Sequence, residues 1–263
     1  MEILGYAASV FIGIALGLIG GGGSILTVPV LVYLFSIDAV VATAYSLFIV
    51  GLTSAVGSVS YFKNSLVNIK TAIIFGIPSI ISVFLTRAYV VPAIPKEVFS
   101  IGNLMVTKSI LMMLLFAILM IAASYSMIKK DKTAESDGEQ KFNYPLILVE
   151  GAVVGILTGL IGAGGGFLII PALVILSKLP MKEAVGTSLV IIAAKSLIGF
   201  FGEGGETFMD WMLLAKVSTL AIGGIFIGSL LSQKIDGAKL KPAFGWFVLA
   251  VGIYIIIKET ILK

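Results

Sequence analysis

The stretch Gly17-Leu18-Ile19-Gly20-Gly21-Gly22-Gly23-Ser24-Ile25-Leu26-Thr27-Val28-Pro29-Val30-Leu31 has a second copy, Gly159-Leu160-Ile161-Gly162-Ala163-Gly164-Gly165-Gly166-Phe167-Leu168-Ile169-Ile170-Pro171-Ala172-Leu173. Both copies lie inside long apolar sequence. Consecutive glycines resist a regular helix, each costing about 1 kcal/mol against alanine. Backbone broken at membrane depth is tolerated only where protein buries it or where it lines a cavity. A chain carrying two such runs must enclose them, and each run marks a candidate site.

The apolar setting follows from composition. Of 263 residues, 59% are hydrophobic and 12% charged, about half the charge content of a soluble domain. Runs long enough to cross a bilayer recur along the whole chain, which predicts an all-α polytopic membrane protein. The net charge of +4 reflects the lysine excess that orients such proteins. Absence of cysteine excludes disulfides, thiolate chemistry and cysteine-held metals. Absence of histidine removes the usual proton shuttle at neutral pH and the commonest metal ligand. No cofactor is expected, and neither glycine run has the Gly-Lys-Ser/Thr ending of a phosphate-binding loop. The expected partners are the bilayer and a small anion, with no nucleic acid; a homo-oligomer stays open. The N-terminus lacks a basic region before its apolar run, which therefore reads as a retained first helix.

Taken in order, Ile3 to Ile19 is the first apolar segment, and Ile25 to Phe35 a piece too short to span. Spans follow at Ala39 to Phe62, Thr71 to Val91 (with Pro78 as a kink point) and Val106 to Ile128. The run from Lys129 to Lys141 is hydrophilic and without apolar periodicity, a solvated linker. Beyond it come Tyr144 to Ile161, the short Phe167 to Leu176, and spans at Glu183 to Phe201, Trp211 to Leu231 and Ala243 to Ile257.

At a constant offset of 142 and without gaps, Gly13 to Gly57 matches its counterpart at about 19 of 45 positions. An internal duplication explains this. It divides the chain into a first transmembrane repeat (1–128), a linker (129–143) and a second repeat (144–263) that together form one transport domain. Placing the linker in the cytoplasm gathers Lys63, Lys70, Lys178, Lys182, Lys234, Lys239 and Lys241 with it, and leaves Arg87, Lys96, Lys108, Lys258 and Lys263 outside. That sorting obeys the positive-inside rule. With five segments per half, an odd number, the halves must enter the membrane from opposite sides: an inverted repeat, each half holding a glycine-broken short helix. The expected location is a bacterial or archaeal cell membrane.

Close packing through Gly-xxx-Gly pairs accounts for Gly13/Gly17 and Gly155/Gly159. It does not account for adjacent glycines, which cannot share a helix face. The functional reading is that Gly20, Gly21, Gly22, Gly23 and Ser24, and likewise Gly162, Gly164, Gly165 and Gly166, break the helix and expose N–H groups to an anion. Lys195 falls deep in a span, where a lysine costs at least about 2.5 kcal/mol and faces a cavity or partner. Lys216 lies nearer a span's end and can reach the outer interface beside Glu206 and Asp210. Ser46, Thr187 and Ser188 can bond helix backbones or donate to an oxyanion. Glu150 is a carboxylate available for proton coupling, or an interfacial partner of Lys141.

The paired glycine motifs and the element Ala184-Val185-Gly186-Thr187-Ser188-Leu189 resemble the sulfite exporter TauE/SafE family of membrane permeases. That resemblance implies transport, often outward, of small sulfur-containing anions such as sulfite or organosulfonates. The halves differ where Ala44-Tyr45-Ser46 stands opposite Gly186-Thr187-Ser188, so a lopsided site centred on the second copy is expected. The function expected is a secondary transporter of a small sulfur oxyanion, working by alternating access around the glycine breaks. An anion channel and an importer of a related anion are the alternatives within transport. An intramembrane enzyme is the remote one, lacking evident acid–base or metal machinery.

Overall fold

The computed structural model describes residues 2–101, 104–128, 144–175, 179–202, 209–232 and 237–260, and nearly all of these are helical. Helix α1 (Glu2–Ile19) leads into a 3₁₀ segment, Gly20–Leu26, and the short α2, Thr27–Tyr33. Then come α3 (Ala39–Lys63) and α4 (Ile69–Leu85), followed by a π-turn at Thr86–Val90 and α5 at Val91–Ala93. Strands β1 (Glu97–Ile101) and β2 (Leu104–Thr107) precede α6, Lys108–Ile128. The second half holds α7 (Tyr144–Ile161), α8 (Gly166–Ile175), α9 (Met181–Phe201), α10 (Trp211–Ser232) and α11 (Gly237–Thr260).

Among the described residues, seven helical stretches are long and apolar enough to cross a membrane. One of them is the whole stretch Ile3–Tyr33, and α7 is a shorter apolar helix. The chain is a multi-pass integral membrane protein. The expected linker lies outside the described residues. The all-α expectation meets one exception: β1 and β2 pair antiparallel, Glu97 opposite Thr107 and Ile101 opposite Leu104. Two β-prone runs flanking Gly102-Asn103 are a hairpin signal in the stretch left between the expected spans ending at Val91 and starting at Val106.

Three helices start on Asx caps, which satisfy otherwise orphaned N–H groups. Asp38 accepts from the Val40 N–H (2.9 Å), Asn68 from Thr71 (3.0 Å) and Asp210 from Leu213 (2.9 Å). Asn68 and Asp210 are 142 residues apart, and each bonds the N–H three positions on.

Glycines let α1 lie directly on α10. A Cβ on Gly13 would fall 1.9 Å from Ala221 O, and Gly17 abuts Ile225 and Gly228. In the same manner α7 lies on α4, Gly155 against Ser79 and Gly159 against Val83 and Thr86. Each contact in one pair is the other's shifted by 142. Both pairs run parallel, while α3 packs on α9 and α6 on α11. The helix ends sort onto two faces. On one, Tyr6 stacks edge-on against Phe35, Ser109 donates to Asp38, and the Asp210 N–H meets Tyr45. On the other, the Asn68 N–H meets Thr187, while the end of α6 (Met127, Ile128) lies against Gly245 in α11.

Candidate functional site

The two glycine runs touch. A Cβ on Gly166 would lie 2.1 Å from Gly21 Cα, and one on Gly21 would lie 2.4 Å from Gly166 Cα. No side chain of any size fits between the strands of backbone here. The contact sits at the level of Ile192, near the middle of α9, whose Cδ1 is 2.3 Å from the same Gly21 position.

The runs differ in form. The second is an open break: Gly162, Gly164 and Gly165 all have positive φ (73°, 64° and 72°), backbone that residues with a Cβ adopt only under strain. Helix α8 starts immediately after, at Gly166. The first is not open. Only Gly20 has positive φ, at 71°, and Gly20–Leu26 then winds as a 3₁₀ helix that carries straight into α2. Short i→i+3 bonds commit its N–H groups locally. The expectation that the first run offers free donors before a helix at Ile25 is therefore corrected. The run contributes shape, as the smooth surface on which Gly166 rests.

Lys195 is the charge at this junction. Its side chain is fully buried (0% exposed) in α9, and Nζ lies 2.9 Å from where a Cβ on Gly165 would be. Among the described residues its one partner is Thr158, to whose Oγ1 it donates at 3.0 Å. Thr158 is buried in the last turn of α7 and donates weakly to Gly155 O (3.3 Å). An ammonium has three donors, so two have no acceptor among the described residues. Ser196, the next residue, is buried with no hydrogen-bond partner for its hydroxyl among the described residues, and its Oγ lies 3.5 Å from the Gly164 Cβ position. The arrangement presents a cation, hydroxyls and the start of α8 within one buried region, a set suited to an oxyanion.

Several expected residues lie apart from this cluster. Gly22 and Gly23 pack on Ile19, Leu16 and Ala15 of their own helix, and Gly162 packs on Thr43. Ser24 donates to Gly21 O (2.7 Å) and Ser188 to Val185 O (2.8 Å), so both hydroxyls serve the backbone. Ser46 is fully buried with its hydroxyl unbonded. Lys216 is exposed on α10, and Glu150 is half-buried on α7, eight residues before Thr158. Its suggested partner Lys141 lies outside the described residues, as does Glu206.

Thr187 has a different task. Its Oγ1 accepts the Asn68 N–H at 2.9 Å, tying the α3–α4 turn of the first half to α9. Across the molecule, Tyr45 Oη accepts the Asp210 N–H at 2.6 Å, tying the start of α10 to α3. Tyr45 and Thr187 are repeat counterparts, as are Asn68 and Asp210. The difference between the halves at these positions therefore reflects reach. Gly186 lets the turn come so close that a Cβ would meet Leu66 O at 2.3 Å, and a threonine suffices; with Ala44 opposite Gly186, a tyrosine makes the corresponding bond.

Two residues went unrecognised in the sequence. Thr158 stands opposite Leu16, and Lys195 opposite Thr53; the second half gains polarity at two positions that meet in space, and only Lys195 draws the eye. Arg87, sorted by charge among the outer cations, is 1% exposed within the π-turn. It follows Thr86, which abuts Gly159 beside Thr158. A π-turn is an inserted residue in a helix and frequently marks function.

A family model described as "Sulfite exporter TauE/SafE" matches residues 5–255. A "Probable membrane transporter protein" of Xylella fastidiosa (strain 9a5c) is 31% identical over 252 residues, 93% of this chain and 91% of that one. The probable membrane transporter protein YdhB of Bacillus subtilis is 27% identical, covering 88% and 91% of the two chains. A probable membrane transporter protein of Methanocaldococcus jannaschii is 36% identical over 116 residues, 42% of this chain and 43% of that one. No solved structure matches. Family and relatives indicate a membrane transporter rather than an enzyme, and the chain belongs to the sulfite exporter TauE/SafE family.

Proposed function

We propose that this transporter is an alternating-access carrier that moves a small sulfur-containing oxyanion outward across the membrane. The observation that carries the proposal is Lys195: a fully buried ammonium at the meeting of the two glycine runs, with one hydroxyl for company. A lone cation at membrane depth is costly, and an anion is what offsets that cost. Sulfur as the central atom, and outward movement, come from the family. No relative's name states a substrate.

An inverted repeat supports the alternating cycle. Helices α1 and α7 each lie parallel to a helix of the other half, and those partners, α10 and α4, start on opposite faces. A site with no solvent exposure requires movement before an anion can enter or leave. Two symmetry-related tethers, Tyr45–Asp210 and Thr187–Asn68, close opposite faces and are candidates for what yields in turn. Losing either bond should weaken its own face by about 1 kcal/mol, a roughly fivefold shift in population.

That shift is measurable because the chain has no cysteine. With Ser196→Cys as reporter in proteoliposomes, Tyr45→Phe is expected to raise labelling by a membrane-impermeant thiol reagent from the Tyr45 face. Thr187→Val is expected to raise it from the other. Equal labelling from both faces in both variants would contradict opposed gates. Transport itself is tested by flux of radiolabelled sulfite, thiosulfate and methanesulfonate through reconstituted protein. Saturable flux with counterflow is the expected result; flux that stays linear at high anion would identify a channel instead.

A further inference from the structure

Building on the carrier reading, we propose that Lys195 carries a proton with each anion, so that transport of a monovalent anion is an electroneutral proton symport. The bound state pairs an ammonium with an anion, and the pair is neutral overall. When the anion leaves, the ammonium stays behind in a buried region with one hydroxyl, that of Thr158, in reach. Among the described residues, no carboxylate is bonded to it to take over the anion's role. Returning across the membrane as a bare cation is the costly alternative. Release of the Nζ proton to water on the side where the anion departs leaves a neutral amine, which returns and is protonated again on the loading side. One anion and one proton thus cross together, and no other charge moves, so the carrier exports only where the outward anion gradient exceeds the inward proton gradient.

The surroundings of Lys195 leave this task to it. On α9 itself, Lys182 and Glu183 are in the first turn, roughly 18 Å away along the axis. From α3, Tyr45 is tied to Asp210, Tyr61 lies against Gly186, and Lys63 is in the last turn. From α7, Glu150 is about 12 Å along the helix from Thr158, and Tyr144 begins the helix. From α4 and its π-turn come Lys70, in the first turn, and Arg87, which follows the Thr86 that abuts Gly159. The 3₁₀ segment and α8 bring no titratable group. In the first repeat Thr53 occupies the Lys195 position and donates to its own helix at Ile49 O (2.7 Å). The design therefore places one carrier of charge at the site.

The test uses proteoliposomes of the full chain offered radiolabelled sulfite, thiosulfate and methanesulfonate, the last of which is monovalent and stays ionised throughout. With the outside about one pH unit more acidic, the wild type is expected to accumulate a carried monovalent anion up to about tenfold, and one proton should enter per anion. Lys195→Arg, permanently charged, is expected to exchange anion for anion while losing accumulation driven by the pH gradient. Glu150→Gln is expected to behave like wild type. Saturable wild-type flux that ignores the pH gradient would overturn proton coupling while leaving the anion carrier intact. Gradient-driven accumulation retained by Lys195→Arg, or failure of that variant to exchange although it elutes as folded protein, would overturn the role of Lys195. Should Lys195→Arg fail to fold, the proton count in the wild type still decides coupling, and a count near zero overturns it. Absence of saturable flux for all three anions would remove the carrier reading and this proposal together.

Discussion

Lys195→Met is expected to make the protein more stable and unable to transport. The side chain is fully buried and, among the described residues, makes a single hydrogen bond, from Nζ to Thr158. Methionine has nearly the same length and flexibility and removes the unpaired charge. Replacing buried charge by an apolar side chain of similar volume is often neutral or stabilising, here by about 1–4 kcal/mol. The freed Thr158 hydroxyl keeps its bond to Gly155 O, so no new orphan is created. Anion flux, in contrast, should fall by at least about a hundredfold, in line with the roughly 2–5 kcal/mol typical of losing one partner of a buried charge pair. Unfolding monitored in detergent and flux in proteoliposomes read the two effects separately. A destabilised variant would mean that Lys195 is a structural residue, and normal flux would remove it from the site. Stabilisation with lost transport is the signature of a residue kept for function against the interest of the fold.

The second large effect belongs to Gly166. A Cβ there would lie 2.1 to 2.3 Å from three backbone atoms of Gly21, and backbone cannot swing aside as a side chain can. Gly166→Ala should therefore cost about 3 kcal/mol, the upper end for overpacking, by prising the two glycine runs apart. Gly223→Ala on α10 is the matched control, since a Cβ there meets nothing within 4 Å. Being in a helix, it should gain up to about 1 kcal/mol from the helix preference of alanine. Similar melting of the two variants would show that the contact between the runs is not what holds the centre together. A selective loss for Gly166→Ala, with intact protein recovered in the control, is the expected outcome.

What the residues announce in order along the chain is mostly local. Apolar runs of bilayer length and the 142-residue repeat are legible in the string of residues, and the observed boundaries of α3, α7, α9 and α10 lie within two residues of the sequence reading. Lys195 stood out for the same reason: a charge in apolar surroundings is conspicuous whatever the fold. Thr158 did not, because a threonine in a helix end is ordinary until the lysine from another helix reaches it. The two glycine runs looked alike as strings, yet one is a 3₁₀ helix and the other an open turn. Their difference comes from the helices that pack on each run, Gly23 being pressed against its own α1 and Gly162 against Thr43 of α3. Thr187, expected as a donor to the anion, also receives the Asn68 N–H, a contact invisible in the string because the partner sits 119 positions away.

By itself, then, the sequence determined that this chain lives in a bilayer, that Gly13 to Gly57 has a counterpart 142 positions on and that its weak points in helix propensity are paired. These are consequences of transfer energies and backbone preferences, which act residue by residue. Only the tertiary structure decided that Gly21 and Gly166 meet without a side chain between them, that Thr158 is the lysine's companion and that Tyr45 and Thr187 hold opposite faces. Those facts depend on helices from different halves being pressed together, and close packing is a property of pairs of surfaces that no single stretch of chain contains.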